Sequence, residues 1–426
     1  MTTVLSLVFV ATYAAIALEH PLKVNKSASA LLGAGLLWTI YATLAADPQR
    51  IGGELAESLT GTAQIVFFLM GAMTIVEVVD AHNGFEVITE RIRTKTLSSL
   101  LWLVGVVTFF LSAILDNLTT TIVMVSLMRK LLARREDRLF FAGIIVIAAN
   151  AGGAWTPIGD VTTTMLWIGG QITALAIMKA AFVPAVVSLL VPLAVTALTL
   201  RGQPVRAPDE RREDSGTVSS AFERNLMFAL GLGVLVAVPA FKSLTHLPPF
   251  MGILFGLGVL WLVGDLIHRR KTDEYKQRFT LGAALSRIDM SSLVFFIGIL
   301  LSVATLEHTH VLAALAQWLD AAIGRQDLIV LVIGLASAVV DNVPLVAASM
   351  GMYSLADFPA DDFLWGFLAY CAGTGGSILV IGSAAGVAAM GMEKIDFFWY
   401  VRRISGLALL GYFAGAAAYL VQHHLG

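Results

Sequence analysis

The stretch that decides the fold is SAILDNLTTT, residues 112–121, in which an Asp-Asn pair interrupts a long apolar segment. The runs SSLLWLVGVVTFFL and IVMVSLM flank it, so Asp116 lies between two segments that both have the composition of lipid-buried helices. A carboxylate at the centre of a bilayer costs about 2.5–3.5 kcal/mol on insertion scales. An acidic residue in such a place is therefore a functional hypothesis by default.

The composition of the chain indicates a helical membrane protein. Of its 426 residues, 57% are hydrophobic and 14% are charged, whereas a soluble domain carries about 25% charged residues. The single cysteine, Cys371, excludes an internal disulfide. Apolar runs of about 18 residues recur along the chain. We therefore predict an all-α polytopic membrane protein with ten full spans, at 3–18, 28–45, 62–80, 139–168, 178–200, 225–241, 248–267, 288–306, 363–390 and 397–422.

Two apolar stretches, 97–132 and 326–356, do not fit as spans. Each consists of two pieces of about 15 residues, too short to cross alone, with an Asp-Asn pair between them. We predict that each is a re-entrant helical hairpin whose polar tip is buried by protein or reached by water. With the N-terminus outside, all but four of the 28 Lys and Arg residues fall on the cytoplasmic side, as the positive-inside rule requires. Both termini are then periplasmic.

Three motifs recur in order in the two halves of the chain. The pairs are FFLMGAMTIVEVVDAH (67–82) with FFIGILLSVATLEHTH (295–310), SAILDNLT (112–119) with SAVVDNVP (337–344), and NAGGAWT (150–156) with CAGTGGS (371–377). We predict two repeats, residues 1–200 and 225–426, joined by a cytoplasmic linker at 201–224. Each repeat has five spans, an odd number, so the second is inverted relative to the first. Each contains one hairpin and one broken helix (139–168 and 363–390), a pattern typical of the binding site of a secondary transporter.

The broken helices carry oxygen ligands suited to a hard cation. NAGGAWTPIGDVTTT (150–164) and CAGTGGSILVIGS (371–383) contain glycines and Pro157, which disfavour a continuous helix and free backbone carbonyls. Hard cations such as Na⁺ prefer oxygen ligands. The candidate ligands are the carboxylates of Asp116, Asp160 and Asp341 and the side-chain oxygens of Asn150, Thr156, Thr162, Thr163, Thr374, Ser377 and Ser383. For Thr163, Thr374 and Ser383, close helix packing is an equally good explanation.

The acidic residues within the predicted membrane segments favour binding of a cation over binding of an anion. No Lys or Arg lies near Asp116, Asp160 or Asp341 in the sequence, and nothing resembles an Arg clamp for an anion, although helix N-termini can bind anions without basic side chains. Burial disfavours the charged form of a carboxyl group, so a buried carboxylate can exchange a proton for Na⁺ near physiological pH. His82 and His308 lie near acidic residues of the first motif pair and are either candidates for pH sensing or ordinary interfacial histidines.

Several function classes find no support in the sequence. There is no P-loop, no dinucleotide-binding fingerprint and no His/Cys spacing typical of a metal site. We therefore expect no ATP-driven pumping within this chain, no cofactor, no nucleic-acid partner and no enzymatic activity. The alternative among enzymes is an intramembrane enzyme that uses Asp116 and Asp341 as an acid pair. Activity on a membrane-embedded peptide would be needed to support it.

Three stretches, SAILDNLTTTIVMVSLMRKLL, NAGGAWTPIGDVTTTMLW and SAVVDNVPLVAASMGMY, resemble the NhaD-type sodium/proton antiporters of the ion transporter superfamily. The resemblance implies exchange of Na⁺ and Li⁺ for H⁺ across a bacterial inner membrane. It also implies a homodimer with a transport domain that carries both hairpins and moves like an elevator. It maps functional positions onto Ser112, Asp116, Asn117, Asn150, Asp160, Thr162, Thr163, Ser337, Asp341, Asn342 and Ser377.

These features together predict a Na⁺(Li⁺)/H⁺ antiporter in membrane lipid, in which H⁺ and Na⁺ compete at Asp116 and Asp160. Na⁺ is expected at Asp116, Asn117, Asn150 and Asp160, with Thr156 completing the shell and Thr119 and Thr374 in support. Asp341 and Asn342 either brace the second tip or form a second ion site. The main alternative is a Na⁺-coupled symporter of a small anion, or an arsenite-type transporter. Ser/Thr-rich tips without an acid would favour it, whereas both tips here carry Asp.

Overall fold

The computed structural model describes residues 1–45, 48–89, 94–206 and 220–425. The regular secondary-structure elements within these ranges are helices. The all-α class is confirmed. Residues 207–219 of the predicted linker lie outside the described residues. The helices of the first half are α1 (Thr2–Ala17), α2 (Glu19–Leu22), α3 (Lys26–Leu44), α4 (Pro48–Ala81), α5 (Glu86–Thr89), α6 (Leu97–Leu115), α7 (Asn117–Leu131), α8 (Arg135–Gly153), α9 (Val161–Ile168) and α10 (Ala174–Thr199).

The second half has breaks at comparable places. Its helices are α11 (Ala221–Thr245), α12 (Pro249–His268), α13 (Asp273–Arg278), α14 (Leu281–Leu285), α15 (Met290–His308), α16 (Val311–Ile323), α17 (Gln326–Ala336), α18 (Asn342–Met352), α19 (Phe363–Gly375), α20 (Ala384–Glu393), α21 (Phe397–Tyr400), a π-helical turn (Val401–Ser405) and α22 (Gly406–Leu425). Both predicted broken helices are interrupted, at 154–160 and at 376–383. Asp116 alone separates α6 from α7, and residues 337–341 separate α17 from α18.

Eight helices in the described part of the chain are long and apolar enough to cross a membrane, so the chain is a multi-pass membrane protein. Seven of them overlap predicted spans, and the eighth is α6, the first limb of the first hairpin. The expected length of that limb is wrong: α6 has 19 residues, which at 1.5 Å per residue is about 28 Å. It extends this far because no proline or charged residue interrupts the run between Thr96 and Asp116.

The two ends of the first hairpin meet the same short segment of the chain. At the entrance, Leu97 N–H donates to Gln203 O at 2.9 Å, and at the exit Ala133 N–H donates to Arg206 O at 2.8 Å. The chain therefore leaves the hairpin close to the place where it entered. Residues 203–206 close the hairpin base.

The hairpins and the broken helices pack against one another in a crossed arrangement. Helix α6 packs on α8 and α17 packs on α19, while α7 packs on both α8 and α20 and α18 packs on both α9 and α19. Glycines permit the closest approaches, because a Cβ at Gly152 would meet the backbone carbonyl of Phe109 and one at Gly375 would meet that of Gly334. We call these eight helices the hairpin unit; its helix α18 also packs on α15.

A buried ion pair that the sequence did not single out joins three helices of the hairpin unit. Glu393, whose side chain is 4% exposed, lies at the end of α20. Its carboxylate accepts from Arg129 Nε of α7 at 2.6 Å and from Arg138 Nε of α8 at 3.3 Å. Outside the hairpin unit, α3 packs on α15 and on α1, and α12 packs on α4 and α11. These helices form a second group, which we call the framework.

Candidate cation-binding site

Asp160 is almost completely buried, with 1% of its surface exposed, at the point where the first broken helix restarts. Pro157 and the glycines before it end α8. The new helix, α9, therefore has free N–H groups that a carboxylate can cap favourably. Asp160 Oδ1 accepts from Thr162 N at 2.9 Å and from Thr162 Oγ1 at 2.8 Å. Its other oxygen, Oδ2, accepts from Asn117 Nδ2 at 2.7 Å.

Amide side chains from both halves of the chain converge on this carboxylate. Asn117 Nδ2 also donates to Asn150 Oδ1 at 3.0 Å, and Asn150 Nδ2 donates to Ser383 Oγ at 3.0 Å. Asn342 Nδ2, from the second hairpin, lies 3.4 Å from each oxygen of Asp160. The two predicted hairpin tips and the two predicted helix breaks thus meet in one buried polar cluster.

Asp116 forms the tip of the first hairpin in a strained backbone conformation. Its φ of 100° and ψ of 159° lie in a region that is populated almost only by glycine, at a cost of about 1–3 kcal/mol. Its carboxylate caps α7, because Oδ1 accepts from Thr119 N and Oδ2 accepts from Thr119 Oγ1, both at 2.8 Å. This strained conformation therefore holds a carboxylate at a position where glycine, which has no side chain, is the usual residue.

The carboxylates of Asp116 and Asp160 line the same small cavity, of about 50 Å³, whose other walls are mostly apolar, among them Phe68 and Phe296. A cavity of this size holds a few water molecules, since one water needs about 10–15 Å³. Among the described residues, no Lys or Arg forms an ion pair with either carboxylate. Two acidic groups without a basic partner therefore face a space of the size of a partly hydrated small cation.

Asp341, at the second hairpin tip, has a different environment from Asp116. Lys26 Nζ, 315 residues away in the chain, lies 3.1 Å from Asp341 Oδ2. No basic residue lies near Asp341 in the sequence, but the fold brings one to it. Asp341 also accepts from Val343 N at 3.5 Å and so caps α18.

The other predicted hydroxyl groups bond to backbone carbonyls rather than to the carboxylates. At distances of 2.6–2.9 Å, Ser112 donates to Ala149 O, Thr156 to Ala113 O, Thr163 to Asp160 O, Ser337 to Ala372 O, Thr374 to Tyr370 O and Ser377 to Thr374 O. Their hydroxyl hydrogens hold the breaks and hairpins in place. Of the predicted threonines, the hydroxyl groups of Thr119 and Thr162 donate directly to the two carboxylates.

The helix caps identify the second-half counterpart of Asp160. Ser383 caps α20 as Asp160 caps α9. This register is two residues later than the sequence match between the two break motifs, which paired Ser377 with Thr156. Ser383, which sequence reasoning left undecided between a ligand and a packing residue, is the one that bonds to Asn150. A serine just before a run of small helix-forming residues is an N-cap signal that could have indicated it.

The two candidate pH-sensing histidines lie apart from this cluster. His82 is 1% exposed, its Nδ1 lies 2.6 Å from Val78 O, and its ring stacks on that of His268 at 5.2 Å. Burial lowers the pKa of His82 to about 4, which keeps it neutral at physiological pH. His308 Nε2 lies 3.0 Å from Ser58 Oγ. The structure gives neither histidine a contact with Asp116 or Asp160 among the described residues.

Comparison with known proteins groups this chain with transporters. A family model described as a citrate transporter family (CitMHS) matches residues 13–373. Sodium/proton antiporter 1 of Arabidopsis thaliana is 54% identical over 99% of this chain and 72% of its own length. Sodium/proton antiporter 2 of the same plant is 48% identical over 99% of both chains. The Na⁺/H⁺ antiporter NhaD of Alkalimonas amylolytica is 30% identical over 97% of this chain and 89% of its own length.

A solved structure shares the fold at low sequence identity. The YdaH transporter of Alcanivorax borkumensis, described as having an unusual topology, superimposes with a TM-score of 0.59. It is 12% identical, and the match covers 94% of this chain and 99% of that one. At this identity the likeness concerns the fold alone.

Proposed function

Because this chain belongs to the NhaD-type sodium/proton antiporters of the ion transporter superfamily, we propose that it exchanges Na⁺ for H⁺ across a membrane at Asp116 and Asp160. The observation that carries the proposal is the pair of carboxylates on one small cavity, without a basic partner among the described residues. Li⁺, a hard cation like Na⁺, is proposed as a second substrate.

The hydrogen bonds around the two carboxylates explain why a cation and a proton would compete there. Neutral N–H and O–H donors from Asn117, Thr119 and Thr162 hold the carboxylate oxygens without cancelling their charge. A guanidinium or ammonium partner would cancel it. The remaining negative charge is relieved either by protonation or by a hard cation with oxygen ligands. In the proposal, binding of Na⁺ releases the proton, and protonation releases Na⁺.

Two larger cavities are the proposed access routes. One, of about 280 Å³, is lined by Glu77, Asp80 and Lys130 and reaches Thr119, which bonds to both oxygens of Asp116. The other, of about 220 Å³, is lined by residues that include Glu307. The proposed cycle moves the hairpin unit relative to the framework, so that the carboxylates open to one side at a time. A homodimer, the inverted repeats and the elevator-like motion are parts of this proposal.

The recurrence of contacts between the two halves supports the proposed repeat. The serine that precedes each Asp-Asn pair, Ser112 or Ser337, donates to an alanine carbonyl of the following broken helix. Each break is followed by a capped helix restart, at Asp160 or Ser383. Equal contacts at equivalent places are what a duplication of one structural unit would produce.

A citrate-type anion carried with Na⁺ is the second candidate, and the description of the matching family favours it. Two observations weigh against it. The cavity at Asp116 and Asp160 is about 50 Å³, small for a tricarboxylate, and its two carboxylates would repel an anion. Citrate-dependent Na⁺ uptake without proton movement would favour this candidate over exchange.

The test is Na⁺-driven proton movement in proteoliposomes that contain the purified protein, with Na⁺, Li⁺ and K⁺ compared. We expect Na⁺ and Li⁺ to release protons, and Asp116→Asn and Asp160→Asn to abolish the response. Asp273→Asn is the matched control, because Asp273 is 93% exposed on the short helix α13. Normal exchange by both site variants would refute the proposed mechanism, and absence of exchange by the unchanged protein would refute the function.

A bacterial inner membrane with both termini in the periplasm is the proposed setting. The single cysteine, Cys371, is fully buried, so Cys371→Ser provides a cysteine-free background for labelling. A cysteine at Gln203 should react with an impermeant maleimide only from the cytoplasmic side, and one at Leu244, which is 83% exposed, only from the periplasmic side. The reverse pattern would overturn the orientation.

A further inference from the structure

Lys26 holds the second hairpin tip from the framework side of the molecule. It lies in the first turn of α3, where a cation is disfavoured by the helix dipole unless an anion compensates it. Its ammonium group lies 3.1 Å from Asp341 Oδ2 and 4.6 Å from the centre of the Phe295 ring of α15. The side chains of Lys26 and Asp341 are 24% and 15% exposed, so water screens this pair only in part.

The two tips differ at one further position. Thr119, three residues after Asp116, donates its N–H and its hydroxyl to that carboxylate. The residue three places after Asp341 is Pro344, which has neither a backbone N–H nor a hydroxyl group. Asp341 therefore lacks the two neutral donors of the first tip and has a basic side chain instead.

We propose that Lys26 is a tethered counter-ion that occupies the carboxylate of Asp341, so that only the first tip takes up a transported cation. This inference rests on the proposed function, because it concerns how many ions the same unit carries. The ion pair is neutral as a whole, so it leaves no net charge to attract a second Na⁺. Lys26 acts through Asp341 and is therefore a positioning residue that sets the number of cations bound.

The prediction concerns the number of Na⁺ ions rather than the rate. Removing the ammonium group in Lys26→Gln exposes the Asp341 carboxylate and should create a second Na⁺ site. We expect the Hill coefficient for Na⁺ to rise from about 1 towards 2, and ²²Na⁺ bound per protein in detergent to rise from about one to two. Lys26→Arg, which keeps the charge, should behave like the unchanged protein.

The double variant Lys26→Gln/Asp341→Asn separates this role from a structural one. It removes both charges together, so we expect it to bind one Na⁺ and to exchange with the original Hill coefficient. Lys23→Gln, a change at an exposed lysine three residues earlier, is the matched control and should alter nothing. Elution as a single species in detergent shows that each variant is folded.

The outcomes distinguish this inference from the proposed function. If the unchanged protein neither binds Na⁺ nor exchanges it, the proposed function fails. If it does both, but Lys26→Gln binds the same number of Na⁺ ions with the same Hill coefficient, the counter-ion role is overturned. Where Lys26→Gln does not fold, the double variant decides: a folded double variant that has lost exchange shows that Asp341 itself carries an ion, which also overturns the role.

Discussion

Replacement of Asn117 by alanine should make H⁺ a stronger competitor of Na⁺ at Asp160. The amide nitrogen of Asn117 donates to Asp160 Oδ2 at 2.7 Å, and Asn117 is 4% exposed. A hydrogen bond to a charged group contributes about 1.5–3 kcal/mol, and it is stronger when the carboxylate is ionised than when it is protonated. Its loss therefore favours the protonated carboxyl group.

The expected size follows from this free energy. At 1.36 kcal/mol per factor of ten, the loss corresponds to about a 10- to 100-fold advantage for H⁺. We expect the Na⁺ concentration for half-maximal exchange to rise by that factor at fixed pH, and the pH profile to move upward by about one to two units. The measurement is Na⁺-induced recovery of the fluorescence of a pH-sensitive dye in proteoliposomes, repeated across a series of pH values.

Asn342→Ala provides the graded comparison for this measurement. Its amide lies 3.4 Å from each oxygen of Asp160, which is a longer and weaker contact. We expect a shift in the same direction but smaller than that of Asn117→Ala. A folded Asn117→Ala protein with an unchanged pH profile, or with a shift to lower pH, would refute the reasoning.

Three further changes have defined outcomes. Glu393→Gln should lower the free energy of unfolding by about 1–3 kcal/mol, discounted for its partly exposed arginine partners; melting in detergent measures this, and Asp273→Asn should show no change. Gly375→Ala should reduce the yield of folded protein in chromatography, because its Cβ would overlap a backbone carbonyl of α17, whereas Gly391→Ala meets nothing within 4 Å. His82→Gln should leave the pH profile of exchange unchanged above pH 6. Because the pKa of His82 is lowered in the folded protein, the protein should lose stability as the pH falls from about 6.5, the ordinary value for histidine, to about 4. This loss should disappear in the variant.

The sequence was most informative where one physical constraint dominates. Hydropathy locates membrane helices because a lipid-exposed segment must satisfy its backbone internally and be apolar outside. The tip at Asp116 was visible for the same reason, as a charge in an apolar run needs a special site. Glycines and Pro157 indicated the first helix break, and the structure interrupts the helix there.

Contacts between residues that are far apart in the chain could not be predicted from the sequence in this way. Lys26 lies just before the predicted span at 28–45, and nothing in the surrounding sequence indicates that the fold brings it to Asp341. Glu393 lies at the end of a short helix, and its partner Arg129 is 264 positions earlier. The sequence match paired Ser377 with Thr156 and left Ser383 undecided between a ligand and a packing residue, whereas the structure shows that Ser383 caps the restarted helix α20.

The closure of the first hairpin has a consequence for the order in which the chain is completed. Residues 203–206, which bond to the start of α6 and to Ala133 just after α7, are synthesised only after α8, α9 and α10. During translation the base of this hairpin therefore remains open until the last helix of the first half has left the ribosome. A ribosome stalled before Gln203 would hold a hairpin with its tip residues present and its base unclosed. One stalled well after Arg206 would present the first half with that base complete.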